Sequence, residues 1–287
     1  MGIDDIMMMR LGDSFMERVR IAIISDVHGN VEALKAVLQD AANEKADKYI
    51  TVGDIALKGP GTDVCLALLE ELSPLTFVLG NHEQVYKDFL DGKSFDHSIK
   101  RQMIKQLVEY DYLFLGEEKF RYLATLPKKV SIQIFDTKID VFHAMPNSVS
   151  FPIYPTQEQM YFDEMFMQTE ASVAINGHVH RQSLRRTEDD QLIINPGSVG
   201  LPGGKNSRKK DNLAQYALID IDETGVVDVH FKKVAYDIEA EIAFARKRGL
   251  PFIYIYEETL RKGQYLYIDS QIERSIRKSK EDNQNGV

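Results

Sequence analysis

Five of the seven histidines in this chain stand in short polar clusters, interleaved with two aspartates and one asparagine. In order the clusters read Asp26-Val27-His28-Gly29-Asn30, Gly53-Asp54, Gly80-Asn81-His82-Glu83, His143 and Gly177-His178-Val179-His180. Imidazole, carboxylate and amide oxygen together suit first-row transition ions better than the all-oxygen shell of calcium or magnesium. Asp26 and His28 alternate, as do His178 and His180, so two side chains of one loop can reach the same ion. Gly29, Gly53, Gly80 and Gly177 adjoin the clusters, and a missing side chain lets backbone and metal come close. A pair of divalent ions would outweigh the two carboxylates and leave a cationic centre that attracts phosphate. A water bridging such ions would lose a proton near neutral pH and become a nucleophile, while the ions offset charge growing on the phosphoryl oxygens. His82, beside Asn81, would protonate the leaving oxygen or stabilise the transition state as an imidazolium.

Each cluster follows a β-like apolar run: Ile21 to Ser25, Tyr49 to Val52, Thr76 to Leu79, Ile139 to Phe142 and Ser172 to Asn176. In an α/β sheet such strand ends meet along one edge, where ligands bind. Between residues 20 and 80 these runs alternate with helical spacing over Val31 to Asn43 and Asp63 to Leu72. That order predicts a βαβαβ start with parallel strands and helices packed on a face. Residues 84–126 lose strand character and show helical spacing at Ile99, Met103, Ile104, Leu107 and Val108, which predicts a helical insertion beside the active edge, placed to act as a lid. From Val130 strand-like runs return, at Val130 to Phe135, Ile139 to Phe142, Val173 to Asn176, Leu192 to Asn195, Tyr216 to Ile221 and Val226 to Phe231. They predict a second, largely antiparallel sheet packed face to face on the first. The tail reads as helix over Ile238 to Arg248 and Glu257 to Lys280, with disorder from Ser279. The chain thus divides into an extension over 1–19, whose first fifteen residues are expected to be disordered, a domain over 20–235 and a helical tail over 236–287.

With 287 residues the chain can bury a full core without a disulfide scaffold, and its single cysteine, Cys65, sits in an apolar helical pattern. That use of cysteine points to a reducing, cytoplasmic location. Acidic and basic residues scattered from Asp4 to Glu17 break any signal-peptide core, and no apolar run is long enough to span a membrane. A net charge of −9 argues against an extended nucleic-acid surface, which relies on clustered Lys and Arg. A small anionic substrate remains compatible with it, because a metal centre supplies local positive charge. The sequence sets no oligomeric state.

The ordered set Asp-x-His, Gly-Asp, Gly-Asn-His-Glu, His and Gly-His-x-His resembles the calcineurin-like metallophosphoesterase superfamily from about Arg20 to Phe231. Asn195-Pro196-Gly197-Ser198-Val199-Gly200 is similar to a motif of its compact bacterial and archaeal phosphodiesterase branch. The resemblance implies an α/β fold, a four-layer α/β/β/α sandwich of two mixed sheets, with a two-metal site. It assigns Asp26, His28, Asp54 and His180 to one ion and Asp54, Asn81, His143 and His178 to the other, with Asp54 bridging. His82 would be the catalytic histidine, with Asn81 beside it. Manganese, iron, zinc and nickel all tolerate such ligands. Ala144 follows His143 where many relatives carry glycine, which is expected to alter the neighbouring loop and spare the ligand. The tail, with Tyr236-Asp237-Ile238-Glu239 and Gly249-Leu250-Pro251-Phe252, is similar to a Gram-positive subset associated with phosphodiesterase and asymmetrical diadenosine tetraphosphate hydrolase activity.

Less specific signals surround these. Asn195 to Gly200 reads first as a supporting turn. The run from Gly203 to Lys210 reads most simply as a solvated flexible loop, the alternative being that Lys205, Arg208 or Lys209 reaches over the site to distal phosphates of a longer substrate; Asn30, Lys205 and Arg208 make the candidate substrate-binding set. Tyr86, Phe89, Phe95, Tyr110, Tyr112 and Phe114 pack as core residues or stack on a base. His97 and His230 fall outside the pattern and read as structural or solvated residues. The expected function is a dinuclear phosphoesterase acting on phosphodiester or phosphoanhydride bonds of small nucleotide-like substrates, diadenosine tetraphosphate among them. The competing readings are a non-catalytic binding scaffold of the same fold, which has no need of His82, and a protein phosphatase or nuclease using the same centre.

Overall fold

The structure, a computed structural model, describes residues 17–203 and 212–284, with side chains to residue 278. The expected disordered extension over the first fifteen residues lies outside the described residues, as do Lys205, Arg208 and the rest of the basic loop over 204–210.

Two sheets stack face to face. The first has the order β2 (Lys48–Thr51), β1 (Val19–Ile24), β8 (Ala214–Asp222), β9 (Gly225–Val234). The second has the order β3 (Lys129–Ile134), β4 (Thr137–Phe142), β5 (Val173–Ile175), β7 (Leu192–Asn195), β6 (Ser183–Arg186). Alternation along the strands separates three cores. Ile21 and Ile23 of β1 meet Ile139, Val141, Ile175 and Ile194 between the sheets, while Ala22 and Ile24 turn to a helical layer. On the far face of the second sheet, Phe142, Ala174 and Ile193 pack against the short helix α5 (Gln159–Asp163) and the 3₁₀ turn that follows it. Helix, sheet, sheet and helix therefore make four layers, as the resemblance implied.

The strands differ from the expectation in two respects. The second sheet is mixed, because β4, β5 and β7 run parallel while β3 and β6 pair antiparallel at its edges. The runs expected to extend it, Tyr216 to Ile221 and Val226 to Phe231, instead form a hairpin on β1 in the first sheet. Apolar alternation shows that a strand is half-buried but not which sheet it joins. The expected strand up to Leu79 is extended without a regular ladder: Leu75 N–H bonds to Tyr49, and Thr51 and Thr76 exchange hydroxyl-to-carbonyl bonds.

The main helical layer contains α1 (Val31–Asn43), α2 (Thr62–Glu71), α3 (Asn81–Leu90) and α4 (Ile99–Ala124). It is completed by α6 (Ile238–Lys247), α7 (Ile253–Lys262) and α8 (Asp269–Gln284). The insertion is α3 and α4, and α4 is interrupted at Gly116, whose φ of 71° only glycine adopts readily. The helix expected over Glu257 to Lys280 is two helices, because Gly263 takes a left-handed C-cap at φ 58° and ends α7. α8 runs to Gln284, so helix replaces part of the expected disorder, and only 285–287 fall outside the described residues at that end. Among the described residues no helix is long and apolar enough to cross a membrane.

Candidate metal centre and its cleft

β1 and β2 run parallel in one sheet and β4 and β5 in the other, so four strand ends and the extended run to Leu79 open on one edge. The loops leaving them are tightly wound. Asp26, His28, Asp54, His178 and His180 all take positive φ, at 55°, 49°, 51°, 69° and 53°. Side chains other than glycine rarely adopt that region, and each such residue costs on the order of 1–3 kcal/mol. Backbone bonds between loops hold them there. Asp26 N–H donates to Gly53 (3.1 Å), His28 N–H to Asp54 (3.0 Å), Gly177 N–H to His143 (2.8 Å) and Gly200 N–H to Asp26 (2.9 Å). Gly80 and Gly177 are required by close approach: a Cβ at Gly80 would fall 2.2 Å from Asp54 Oδ1, and one at Gly177 would fall 2.7 Å from Asp26 Oδ2.

Each aspartate commits one oxygen to the framework. Asp26 Oδ2 accepts from Ser25 Oγ (2.5 Å) and His178 N–H (3.1 Å), and Asp54 Oδ1 accepts from His82 N–H (2.9 Å). The other oxygens face the imidazoles. Asp26 Oδ1, buried without a hydrogen bond among the described residues, lies 3.1 Å from His180 Nε2 and 3.8 Å from His28 Nε2. Asp54 Oδ2 lies 3.3 Å from His143 Nε2, 3.8 Å from His28 Nε2 and 3.9 Å from His82 Nε2. The inward atom of the Asn81 amide is 2.7 Å from His178 Nδ1, 3.2 Å from His143 Nε2 and 3.3 Å from Asp54 Oδ2. Turned with NH₂ inward the amide donates to these acceptors; turned with Oδ1 inward it joins them around a shared cation. Two carbonyls set the tautomers, since His143 Nδ1 meets Val52 O at 2.8 Å and His28 Nδ1 meets Ala56 O at 3.3 Å, leaving Nε2 of each free for the centre.

These atoms form three groups able to hold a cation: Asp26, His28 and His180; His28, Asp54 and His82; and Asp54, His143 and His178. The donor set fits divalent transition ions, because lone pairs face lone pairs and an aspartate oxygen is orphaned. Protonation eases the same crowding in part. Burial opposes charge on His143, but Asp54 and Asp26 outweigh it and push its pKa up to about 10. Burial holds His28 and His178 down to about 4 and His82 well below the usual imidazole range. Burial raises Asp26, yet His180 and His143 overcome it and bring it to about 2.

Glu83, fully buried, organises the loops from below. Its carboxylate accepts from Asp54 N–H (3.0 Å), Ala56 N–H (2.9 Å) and Gly80 N–H (2.9 Å), tying the Gly-Asp loop to the start of α3. Asp111 of α4 does the same for the next stretch, accepting from Leu57 N–H (3.0 Å) and Thr62 Oγ1 (2.9 Å) and from the Tyr86 hydroxyl.

Beside the centre opens a cleft of about 520 Å³, lined by His28, Asp54, Asn81, His82, His178 and His180 on one side. Its remaining wall comes from Lys58, Lys100, Ile104, Tyr154, Arg181 and Tyr265, among others. The insertion therefore borders the site through α4, as expected. Sequence reasoning missed the other wall residues, and Tyr265 arrives from the turn that follows Gly263.

All seven expected metal-site residues and His82 converge on this edge. Asn30, expected at the substrate, is placed differently: its Oδ1 caps α1 at Ala33 N–H, and its Nδ2 donates to Gly200 O (3.0 Å) and Tyr236 Oη (3.3 Å), so its amide serves the framework beneath the site. Asn195 to Gly200 is a supporting turn, since Asn195 Nδ2 donates to Gly177 O (2.7 Å) and Ser198 Oγ to Asp26 O (2.9 Å). The six insertion aromatics do not line the cleft; Tyr86 stacks on Phe120 and Phe114 lies under Arg248.

A family model described as the calcineurin-like phosphoesterase superfamily domain matches residues 19–224. An uncharacterised protein of Methanocaldococcus jannaschii is 30% identical over 246 residues, covering 82% of this chain and 96% of that protein. Among solved structures, a metallophosphoesterase from Sphaerobacter thermophilus superposes with a TM-score of 0.64 at 26% identity, over 86% of this chain and 100% of the other. A hypothetical protein from Pyrococcus horikoshii superposes at 0.67 with 20% identity, over 85% of this chain and 96% of that one, and so shares the fold. The ordered clusters, the four layers and a match spanning most of the chain agree, and the chain belongs to the calcineurin-like phosphoesterase superfamily.

Proposed function

We propose that the protein is a phosphoesterase dependent on two divalent transition ions, which hydrolyses phosphodiester or phosphoanhydride bonds of small nucleotide-like substrates, diadenosine tetraphosphate among the candidates. The observation that carries this reading is the convergence of Asp26, Asp54, Asn81 and four imidazoles with their free lone pairs facing one another at the edge of a cleft. Asp26, His28, Asp54 and His180 would hold one ion, and Asp54, Asn81, His143 and His178 the other, with Asp54 shared. When bound, the pair supplies an activated water and positive charge for the phosphoryl oxygens.

The chain supplies the remaining functions. Ser25, His178 N–H and His82 N–H fix the aspartates, so the ligand oxygens do not reorganise as charge develops. His82 faces the cleft with Nε2 near Asp54 Oδ2, placed to give a proton to the leaving oxygen as the new P–O bond forms and the old one breaks. Its proton must come with the substrate, whose negative charge counters the burial that keeps the ring neutral. The same reading places the protein in the cytoplasm, where buried Cys65 stays reduced.

The test is turnover by metal-free protein reconstituted with manganese, assayed on p-nitrophenyl phosphate, bis-p-nitrophenyl phosphate and diadenosine tetraphosphate. Diester or tetraphosphate hydrolysis that chelator abolishes is the expected result. Two bound ions per chain with no turnover on any of the three would overturn the reading in favour of a binding scaffold.

A further inference from the structure

Lys58 is 2% exposed, takes a φ of 81°, and borders the same cleft as His28, Asp54 and His82. Its ammonium lies 4.2 Å from the centroid of the Tyr267 ring, and among the described residues no carboxylate, carbonyl or hydroxyl hydrogen-bonds to it. Burial, together with repulsion from Lys100, outweighs the attraction of Asp54 and pushes its pKa down to about 7. An apolar side chain of the same length would fill this space without the cost of burying an unpaired charge. Two other cations line the cleft from separate segments: Lys100 in the first turn of α4, and Arg181 just after the Gly-His-x-His cluster. Arg181 packs 5.6 Å from the Tyr154 ring centroid, and no acidic partner pairs with it among the described residues. A metal pair at the candidate centre would supply positive charge for one phosphoryl group, so three further cations are surplus to a substrate with a single phosphorus. The cleft, about 520 Å³, also exceeds what one phosphate needs and falls within the usual size of small-molecule sites.

We propose that Lys58, Lys100 and Arg181 form a second anion subsite that binds a phosphate of the substrate beyond the scissile phosphorus, so that the cleft selects phosphoanhydrides and multiply phosphorylated nucleotides over simple diesters. Tyr154 and Tyr265 flank this subsite and offer ring faces to the organic part of such a substrate. Tyr265 and Tyr267 lie beyond residue 224, where the family match ends, so the tail contributes this selectivity. The proposal rests on the phosphoesterase reading for its kinetic arm and has a binding arm that does not.

In the kinetic arm, manganese-loaded wild type, Lys58→Met and Lys58→Arg are compared on diadenosine tetraphosphate and bis-p-nitrophenyl phosphate. Lys58→Met is expected to lower kcat/KM for the tetraphosphate at least tenfold more than for the diester, mainly through KM, and Lys58→Arg to recover most of that gap. In the binding arm, calorimetry on the same proteins measures pyrophosphate against inorganic phosphate, and Lys58→Met is expected to shrink the preference for pyrophosphate about tenfold. Equal losses on both substrates, or an unchanged pyrophosphate preference, would overturn the subsite. If wild type turns over neither substrate the phosphoesterase reading fails, and the binding arm still decides the subsite. Should Lys58→Met not fold, as judged by circular dichroism and melting, Arg181→Met at a less buried position is expected to shift both ratios the same way by at least threefold; no shift refutes the subsite.

Discussion

Asp54 Oδ2 lies within 4 Å of the imidazoles of His28, His82 and His143, and its other oxygen is held by His82 N–H, so it is the carboxylate common to two of the three candidate cation groups. Asp54→Asn is expected to remove metal from the centre and lower turnover about a thousandfold or more, read by metal content alongside kinetics. In the metal-free protein His143 carries a proton at neutral pH, because Asp54 and Asp26 outweigh its burial and push its pKa up to about 10. Metal must displace that proton. Binding at pH 7 is therefore expected to release at least one proton, and affinity to rise roughly tenfold per pH unit for each proton released, which calorimetry in buffers of different ionisation enthalpy would count. The residue types of the centre were legible in the sequence because imidazoles and carboxylates recur beside glycine at strand ends. Glu83 was visible only as a neighbour of His82, since its role depends on three N–H groups that the folded loops bring to one carboxylate. Asn30 was misread because its type fits either a ligand contact or a helix cap, and only the path of Gly200 and Tyr236 decides between them.

Elements carry the next level of control. α6 docks on α1 through Glu241, which is fully buried and accepts from Glu32 N–H (3.1 Å) and the Tyr256 hydroxyl (2.8 Å). Burial raises its pKa from 4.5 to about 7, so the folded state holds its proton more tightly than the unfolded chain does. Its contribution to stability is then most favourable below pH 4.5 and is withdrawn as pH climbs to about 7. Melting curves should show wild type losing more stability than Glu241→Gln between those limits, because glutamine cannot ionise; parallel pH profiles would contradict the assignment. Helices were readable from apolar spacing, and α1 begins and ends where that spacing predicts. The break at Gly263 was not drawn from the sequence, although glycine is its signal, because the helical pattern resumes on the far side. That break delivers Tyr265 to the cleft, so an error of one turn concealed a wall of the site.

At the scale of the whole molecule, metal binding at the candidate centre is expected to stabilise the fold. The centre ties loops from both sheets to the helical layer, and the unfolded chain has no such site. Free metal at about a thousand times its dissociation constant is expected to stabilise the protein by about 4 kcal/mol, a melting-temperature rise on the order of 8 °C that chelator reverses. A protein that melts at the same temperature with and without manganese would show that the cation does not bind these groups. The sequence by itself determined the family, the four layers and which residues gather at the candidate metal centre, because each depends on local features: residue type, glycine spacing and the period of apolar residues along one element. Only the tertiary structure decided which sheet β8 and β9 join, that Asn30 serves the framework, and that Lys58, Arg181 and Tyr265 face one cleft. Those outcomes depend on contacts between segments far apart in the chain, whose partners are fixed by packing and by the surfaces left to bury, and no local pattern specifies them.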